Sequence, residues 1–275
     1  MKKILITGAK SYIGESFKDF LSSESNNYIV EIKDTIGWEP TLSDFLGYDV
    51  VFNVAGIAHI KETSKNKHLY YDINRDLVIK IAKFAKEAKV KQFILLSSMS
   101  VYGLLTGYIT KTTPEKPSNS YGDSKAQADK IIRALEDKNF KFVCLRPPMV
   151  YGKNCKGNYQ TLRKFALITP IFPDYGNERS MIYIGNLCYF IKEMIDKECR
   201  GLFFPQNYDY VRTSEMVRLI AECHERTVKQ TKIFNWILKF MKKSIIRKVF
   251  GDLTYEKVDL VNNFSFYESI KMTER

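Results

Sequence analysis

Short apolar runs alternate with longer amphipathic stretches through the first half of the chain. The apolar runs predict β-strands at Lys3–Thr7, Tyr28–Ile32, Asp49–Ala55, Gln92–Ser98 and Phe140–Arg146. Between them, apolar residues recur at helical spacing and predict helices near Ile13–Ser22, Asn74–Ala88 and Tyr121–Asp137. Strands that are apolar on both faces are typical of a parallel sheet covered by helices. The pattern therefore predicts an α/β fold with a doubly wound parallel sheet.

This fold directs attention to one edge of the sheet. Ligands of doubly wound sheets bind beyond the carboxyl ends of the strands. The residues that follow Thr7, Val54, Ser97 and Arg146 are therefore the first places to look for a binding site.

The length and charge of the chain narrow the choice of partners. A chain of 275 residues is long enough for one large α/β domain with a small appendage. Its formal charge of +12 fits anionic, phosphate-bearing substrates, or simply a basic, soluble surface. No helix-turn-helix, RNA-recognition or zinc-finger pattern is present, so we expect no nucleic-acid partner.

The chain ends and the cysteines indicate the compartment. The first strand begins at Lys3, which leaves no room for a signal peptide, and no apolar run reaches the roughly 18 to 20 residues of a membrane span. We expect a cytoplasmic protein without a transmembrane segment. The five cysteines are scattered and lack metal-ligand spacing with the three histidines, which predicts free thiols and no metal site.

A glycine-containing loop, TGAKSYIG, follows the first predicted strand. Gly8 allows a tight strand-to-helix turn, and Gly14 allows the helix to pack close to the sheet with its amino terminus directed at a diphosphate. Ser11 stands where the pattern usually has its middle glycine, so a side chain crowds the pyrophosphate although its hydroxyl can donate to it. The loop predicts a dinucleotide site that includes Gly8, Ser11, Tyr12, Ile13 and Gly14.

The residues after the second strand are those that select between the two nicotinamide dinucleotides. Asp34 would bind the ribose hydroxyls of NAD, whereas Lys33 would bind the 2′-phosphate of NADP. The sequence leaves the choice between NAD and NADP open.

Small and hydroxyl-bearing residues follow the next two strands. Ala55 and Gly56 in NVAGIAH would let a flat cofactor lie against the main chain. LLSSMSVYG places Ser98 and Ser100 at the edge of the sheet, although a serine pair at a strand end is otherwise typical of a helix cap or a turn.

The stretch SYGDSKAQAD contains Tyr121 and Lys125, four residues apart. This spacing is one helical turn, so both side chains project from one face. A phenol and an ammonium so placed are either catalytic or an ordinary solvated pair.

Five motifs occur in order on these elements: TGxxxxxG, NxAG, SSxSVYG, YxxxK and LRPPMVYG. Together they resemble the extended short-chain dehydrogenase/reductase family, in its NAD-dependent epimerase/dehydratase group. The resemblance runs from Lys2 to about Leu187. It implies a Rossmann-type NAD(P)-binding domain over residues 1–152 and a smaller substrate-binding lobe over residues 153–275 that partly returns to the sheet.

The resemblance assigns catalytic roles to Ser98, Tyr121 and Lys125. Tyr121 would move a proton to or from a sugar hydroxyl, and Ser98, with Ser100 as second choice, would bind the substrate oxygen. Lys125 would hold the nicotinamide ribose. A free tyrosine has a pKa of about 10, so we expect Lys125 and the oxidised nicotinamide to lower the pKa of Tyr121. Pro148, in RPPMVYG, would line the nicotinamide pocket.

The same resemblance matches two residues of the second half to the substrate. Asn158 corresponds to a nucleotide-sugar contact. Arg179 corresponds to an arginine that neutralises the nucleotide diphosphate, because guanidinium binds phosphate oxygens in pairs. The alternative for Arg179 is a surface ion pair.

A basic amphipathic segment occupies residues 232–251. Its apolar stripe comprises Phe234, Ile237, Leu238, Met241 and Ile245. We favour packing within a small C-terminal lobe over a helix lying on a membrane surface.

Within the family, the chain resembles bacterial capsule and O-antigen enzymes that reduce UDP-sugar 4-ketones, and also UDP-glucose 4-epimerase-like proteins. We expect reduction of the 4-keto group of a UDP-2-acetamido-2,6-dideoxy-hexulose in surface polysaccharide biosynthesis. The alternatives are a UDP-sugar 4-epimerase and a non-catalytic dinucleotide-binding regulator. The segment Ser98-Met99-Ser100 lacks the carboxylate of the family's dehydratases, which argues against 4,6-dehydration. The resemblance also implies a homodimer.

Overall fold

The computed structural model describes residues 1–24, 27–58, 60, 62–233, 235–240, 244–258 and 260–275. Its strands are β1 (Lys2–Thr7), β2 (Tyr28–Lys33), β3 (Val50–Asn53), β4 (Gln92–Leu96), β5 (Gly107–Ile109), β6 (Lys141–Leu145), β7 (Met149–Tyr151), β8 (Ile171–Pro173), β9 (Met181–Tyr183), β10 (Gly201–Phe203), β11 (Lys229–Thr231) and β12 (Leu253–Tyr255). Its helices are α1 (Tyr12–Ser23), α2 (Lys67–Tyr71), α3 (Val78–Glu87), α4 (Ser120–Arg133), α5 (Asn158–Ile168), α6 (Ile184–Asp196), α7 (Thr213–Cys223), α8 (Asn235–Phe240), α9 (Ser244–Phe250) and α10 (Phe266–Glu274).

Six strands form one parallel sheet in the order β10-β6-β4-β3-β1-β2. In the register, Thr7 at the end of β1 lies beside Lys33 and Asn53, and Leu96 at the end of β4 lies beside Leu145. The carboxyl ends of the strands therefore lie along one edge, as the apolar runs predicted. A buried hydrogen bond of 2.8 Å from Thr7 Oγ1 to Asn53 Oδ1 joins the ends of β1 and β3.

Helices cover both faces of this sheet. On one face, Leu5, Val51 and Phe93 belong to a buried cluster with residues of α3 and α4 such as Ile81 and Ile132. On the other face, Phe52 meets Phe17 of α1 edge-to-face, with ring centroids 5.5 Å apart. Successive residues of a strand point to opposite faces, so strands buried on both sides must be apolar throughout. The predicted doubly wound α/β fold is confirmed.

Several predicted boundaries shift for local reasons. β4 ends at Leu96, two residues before the predicted end, because Ser98 caps a 3-10 turn over Met99–Tyr102. α4 ends at Arg133 rather than near Asp137, whose carboxylate accepts the N–H groups of Asn139 and Phe140 and so forms a turn.

The helix predicted from Asn74 begins earlier and is not uniform. α2 starts at Lys67 and continues through a π-helical turn, Asp72–Leu77, into α3. A π turn inside an α-helix often marks a functional position.

The chain divides into two compact units. Unit 1 contains residues 1–103, 114–147 and 188–204, and therefore the six-stranded sheet. Unit 2 contains residues 104–113, 148–187 and 205–275, with three parallel strand pairs: β5–β12, β7–β9 and β8–β11. In unit 2, Tyr151 stacks on Tyr159 at 5.6 Å, and Tyr159 donates a hydrogen bond of 2.7 Å to Glu274 of α10.

The basic segment 232–251 contains α8 and α9 in its described parts. Of the predicted apolar stripe, Phe234 and Met241 and the side chains of Ile237 and Ile245 lie outside the described residues, while Leu238 is half-buried. The stripe therefore does not distinguish packing within a C-terminal lobe from a helix that lies on a membrane surface. Among the helices of the described residues, none has the length and apolar character needed to cross a membrane. The five cysteines, all of them described, form no disulfide with one another.

A buried ion pair joins three elements of unit 1. Arg146, which follows β6, is 1% exposed, and Asp129 of α4 is fully buried. Arg146 Nε donates to Asp129 Oδ2 at 3.1 Å, its Nη1 donates to the hydroxyl of Tyr102 at 2.7 Å, and its Nη2 contacts both Asp129 and Glu115. Burial alone would raise the pKa of Asp129, but the guanidinium groups of Arg146 and Arg133 outweigh it and hold that pKa below its usual value.

We expect Asp129→Asn to lower the free energy of unfolding by about 3–5 kcal/mol, because it removes the fully buried one of the two carboxylates that neutralise the buried guanidinium of Arg146. Since the pKa of Asp129 is lower in the folded protein, this contribution is present above about pH 4 and is lost as the pH falls through the folded value. Urea unfolding at neutral pH and below pH 4 measures both effects. Glu115→Gln is the matched control, with a smaller loss because Glu115 is partly exposed. A loss of less than about 1 kcal/mol for Asp129→Asn would contradict this account.

Candidate active site

The loop after β1 forms a close-fitting turn that requires glycine at its first position. Gly8 has φ +117°, and a Cβ there would lie 2.8 Å from the main-chain nitrogen of Ala55. Its N–H donates to the carbonyl of Lys33 at 2.9 Å. Gly8 thus fixes the loop against both neighbouring strands, in a conformation that L side chains rarely adopt.

Ser11 takes the position of the usual middle glycine without disturbing this turn. Its φ is −72°, which any residue adopts, and its hydroxyl caps α1 by accepting the N–H of Gly14 at 3.4 Å. Tyr12 and Ile13 form the first turn of α1 and are half-buried. A helix amino terminus behind a tight glycine turn fits a dinucleotide diphosphate.

Lys33 and Asp34 both lie at the end of β2, beside Gly8. Lys33 Nζ is 3.2 Å from Asp44 Oδ1 and 5.2 Å from the ring centroid of Trp38. Asp34 accepts the N–H of Ile36 at 3.0 Å and is exposed. Either side chain can therefore face an adenosine ribose here, and the choice between NAD and NADP stays open.

Ser98 acts both as a turn cap and as a neighbour of Tyr121. Its hydroxyl accepts the N–H of Ser100 at 3.1 Å, donates to Ser100 Oγ at 3.2 Å, and interacts with the Tyr121 phenol. Tyr121 is the second residue of α4, whose amino terminus is capped by Asn119. A Cβ on Gly122 would overlap the carbonyl oxygen of Ser100, so this glycine lets α4 approach the turn.

Lys125 lies on α4 beside the ends of β3 and β4. It is 4% exposed, and its ammonium donates to the carbonyl of Leu96 at 2.9 Å. A Cβ on Gly56 would lie 3.1 Å from Lys125 Nζ, so the small residue makes room for the ammonium. The structure therefore brings Ser98, Tyr121, Lys125 and the loop of Ala55 and Gly56 to the same sheet edge.

Burial drives the two ionisable groups toward their neutral forms. It raises the pKa of Tyr121, with Tyr70 adding to this effect and the Ser98 hydroxyl opposing it. It also lowers the pKa of Lys125 to about 8. The expectation that Lys125 lowers the pKa of Tyr121 does not hold for the protein alone, because the lysine ammonium is directed at the main chain of β4 and desolvation dominates.

Asn74 is a site residue that the motifs did not identify. It lies in the π turn and is fully buried; its Oδ1 accepts the N–H of Ile57 at 2.8 Å, and its Nδ2 donates to Ser124 Oγ at 3.4 Å. It therefore ties the loop after β3 to α4. The available signal was an amide side chain beside the apolar positions Ile73 and Leu77 of the predicted helix.

The remaining predicted residues belong to unit 2. Arg179 is half-buried; its main chain bridges Val211 and Leu253, and its Nη1 donates to the carbonyl of Gly251 at 2.6 Å. Burial lowers its pKa, which Asp252 opposes. Asn158 is exposed at the first position of α5, and Pro148 is buried just before β7.

Comparison with known proteins agrees with these features. Residues 4–197 match the NAD dependent epimerase/dehydratase family, and the chain belongs to that family. It is 29% identical to a UDP-glucose 4-epimerase of Vibrio cholerae, over 92% of this chain and 86% of the relative.

Two solved structures share the fold over nearly the whole length. A UDP-glucuronic acid 4-epimerase from Bacillus cereus, in complex with NAD, superposes with a TM-score of 0.77 and 18% identity, covering 99% of this chain and 95% of the other. A dTDP-4-dehydrorhamnose reductase from Bacillus anthracis, in complex with NADP, gives a TM-score of 0.75 and 16% identity, covering 99% and 98%.

Membership of this family confirms the predicted Rossmann-type fold and nicotinamide dinucleotide cofactor. The residues present suit that cofactor: Gly8 allows the tight turn after β1 because a Cβ there would meet the main chain of Ala55, and α1 begins directly after this turn with its amino terminus available to a diphosphate. When bound, the dinucleotide supplies or accepts hydride. The same sheet edge presents the half-buried Tyr121 with the Ser98 hydroxyl in contact with its phenol, and the buried Lys125 ammonium.

We expect Lys125→Met to stabilise the protein alone by about 1–2 kcal/mol at pH 7. The fall of the lysine pKa from 10.5 to about 8 corresponds to a cost of about 3 kcal/mol for burying the charge, and the carbonyl of Leu96, left without its donor, offsets part of the gain. Because the folded pKa is the lower one, the cost is full below pH 8 and fades between pH 8 and 10.5.

Urea unfolding at pH 7 and near pH 10 measures this effect. Lys130→Met, on the exposed side of the same helix, is the matched control and should change stability by less than about 0.5 kcal/mol. If Lys125→Met is less stable than the wild type at pH 7, the hydrogen bonds of the ammonium outweigh the cost of burying its charge, and this account is wrong.

Proposed function

We propose that this protein reduces the 4-keto group of a UDP-2-acetamido-2,6-dideoxy-hexulose, using NADH or NADPH, in surface polysaccharide biosynthesis. The observation that carries the proposal is the juxtaposition of Ser98, Tyr121 and Lys125 at the sheet edge that also holds the dinucleotide loop. Family membership supports chemistry on a nucleotide sugar, and the 4-keto substrate is the finer part of the proposal.

The proposed reaction is a balanced addition of hydride and proton to a ketone. Hydride reaches C4 from the reduced dinucleotide, Tyr121 gives a proton to O4, and the products are the alcohol and the oxidised dinucleotide. Ser98 binds O4 as its charge changes, and Lys125 positions the nicotinamide ribose. The Tyr121 phenol is protonated at neutral pH even at the ordinary tyrosine pKa, so it carries the proton that the reduction needs.

Arg179 and Asn158 are proposed to contact the substrate. Arg179 is a guanidinium held in place by its bond to the carbonyl of Gly251, and its main chain is fixed between two strands. A positioned guanidinium is suited to a diphosphate. Asn158 would contact the sugar from the start of α5.

A UDP-sugar 4-epimerase is the second candidate, favoured by the similarity to the Vibrio cholerae protein. An epimerase first removes hydride from C4 and then returns it to the opposite face, so it keeps its dinucleotide between turnovers. Its first step needs Tyr121 as a base, and the oxidised nicotinamide that an epimerase retains would oppose the effect of burial on the phenol pKa.

A substrate panel distinguishes the two reactions. The purified protein is incubated with UDP-glucose, UDP-N-acetylglucosamine and a UDP-2-acetamido-2,6-dideoxy-4-hexulose, each without dinucleotide, with NADH and with NADPH. We expect the hexulose alone to gain the mass of two hydrogens, with loss of the reduced dinucleotide's absorbance. If UDP-glucose or UDP-N-acetylglucosamine is instead converted, without added dinucleotide, to an isomer of unchanged mass, the protein is an epimerase and the reductase proposal is wrong.

We expect Tyr121→Phe to lower kcat by about 10²–10⁴-fold, because the proton donor is removed. Dinucleotide affinity, measured by fluorescence titration, should change little. Tyr71→Phe is the matched control: it removes a nearby hydroxyl that donates to Asp123 at 2.7 Å but leaves the donor intact. Unchanged turnover in Tyr121→Phe would contradict the assignment of Tyr121 as the proton donor. If the wild-type protein binds the dinucleotide but converts none of the sugars, a non-catalytic dinucleotide-binding regulator is favoured instead.

A further inference from the structure

We propose that unit 2 carries a surface that binds an anionic lipid bilayer. Among the described residues of this unit, ten large hydrophobic side chains are at least 41% exposed, and five of them lie on or beside the β8–β11 strand pair. Single exposed apolar residues are ordinary, whereas a group of them marks an interaction surface. These five form what we call the exposed apolar patch: Phe165 (41%), Ile168 (61%), Ile171 (47%), Ile233 (74%) and Trp236 (65%).

One small sheet organises this patch. β8 pairs with β11, which places Ile171 beside Lys229, while Phe172 between the exposed positions turns inward and is 4% exposed. Phe165 of α5 packs against Phe172 with ring centroids 6.1 Å apart, and Ile168 follows one helical turn later.

The other two residues are attached to the opposite end of the same sheet. The main chain of Asp174, just after β8, accepts a hydrogen bond of 2.8 Å from the Asn235 side chain. This bond anchors α8, which carries Trp236, and Ile233 lies two residues beyond β11.

Three lysines lie on or next to the elements that carry the patch. Lys164, Lys229 and Lys232 are exposed, the last with 81% of its side chain accessible. Lys232 Nζ lies 4.0 Å from Asp174 Oδ2, which is the ion pair that these lysines make within the described part of the chain. Aliphatic and indole side chains surrounded by lysines match the layered chemistry of a bilayer surface, where apolar groups enter the acyl boundary and ammonium groups meet anionic headgroups.

Other occupants fit these features less well. A second copy of the chain seated on the same patch would place lysines opposite lysines. A single-stranded nucleic acid binds through planar side chains on which its bases stack, whereas three of the five residues are isoleucines, and a duplex offers no apolar surface to cover them. The proposal is independent of which sugar reaction the protein performs.

Trp236 provides a direct probe, because the chain has two tryptophans and Trp38→Phe leaves Trp236 alone. The Trp38→Phe protein is mixed with vesicles of equal parts phosphatidylglycerol and phosphatidylcholine, or of phosphatidylcholine alone. We expect a blue shift of tryptophan emission and co-flotation with the anionic vesicles only, both weakened by added salt. Unchanged emission with the anionic vesicles would overturn the proposal.

Two sets of variants test the surface itself. The first set replaces its lysines: Lys164→Gln, Lys229→Gln and Lys232→Gln combined. Its control removes the same charge elsewhere on the surface: Lys83→Gln, Lys89→Gln and Lys138→Gln combined. We expect the first set to weaken vesicle binding at least about tenfold and the control to weaken it much less. If both sets weaken vesicle binding equally, the binding depends on the overall positive charge of the protein, and the assignment of a binding surface to the exposed apolar patch is wrong.

The apolar contribution is tested by Ile168→Ser with Ile233→Ser, both at exposed positions where folding should be unaffected. We expect the blue shift to be lost although the lysines remain. Sedimentation without lipid completes the test: self-association that these two changes abolish would assign the patch to a second copy and overturn the bilayer proposal.

Discussion

The buried ion pair between Arg146 and Asp129 connects the elements on which the site depends. Asp129 lies one helical turn beyond Lys125 and two turns beyond Tyr121 on α4. Through Tyr102, Arg146 also holds the far end of the turn that Ser98 caps. A charge pair in a dry interior tolerates little displacement, because either partner left alone is strongly destabilising. The relative positions of Ser98, Tyr121 and Lys125 therefore depend on one interaction behind the site.

Desolvation is the second physical feature of the site. The same burial that raises the pKa of Tyr121 lowers that of Lys125, so the protein holds a protonated phenol beside an ammonium that loses its charge readily. Low polarity also strengthens each remaining hydrogen bond. Burial of the Lys125 ammonium therefore costs stability in the protein alone.

Much of the fold and part of the site followed from the sequence because they depend on local or periodic features. The strands and helices of unit 1 are predictable from apolar runs, and Gly8 from the turn that needs it. The end of β4 and the role of Ser98 were harder to predict from the sequence, because the Ser98 hydroxyl both caps the turn after β4 and interacts with Tyr121, which is distant in the sequence. Asn74 was missed because its partners, Ile57 and Ser124, are far away in the sequence.

The sequence by itself determined the parallel sheet, the dinucleotide loop and the one-turn spacing of Tyr121 and Lys125, since strand pairing and helix geometry repeat at fixed intervals. Only the tertiary structure decided the direction of the pKa changes, the bond from Lys125 to the carbonyl of Leu96 and the exposed apolar patch of unit 2. Those properties depend on burial and on contacts between distant segments. Neither is encoded in the spacing of residues along the chain.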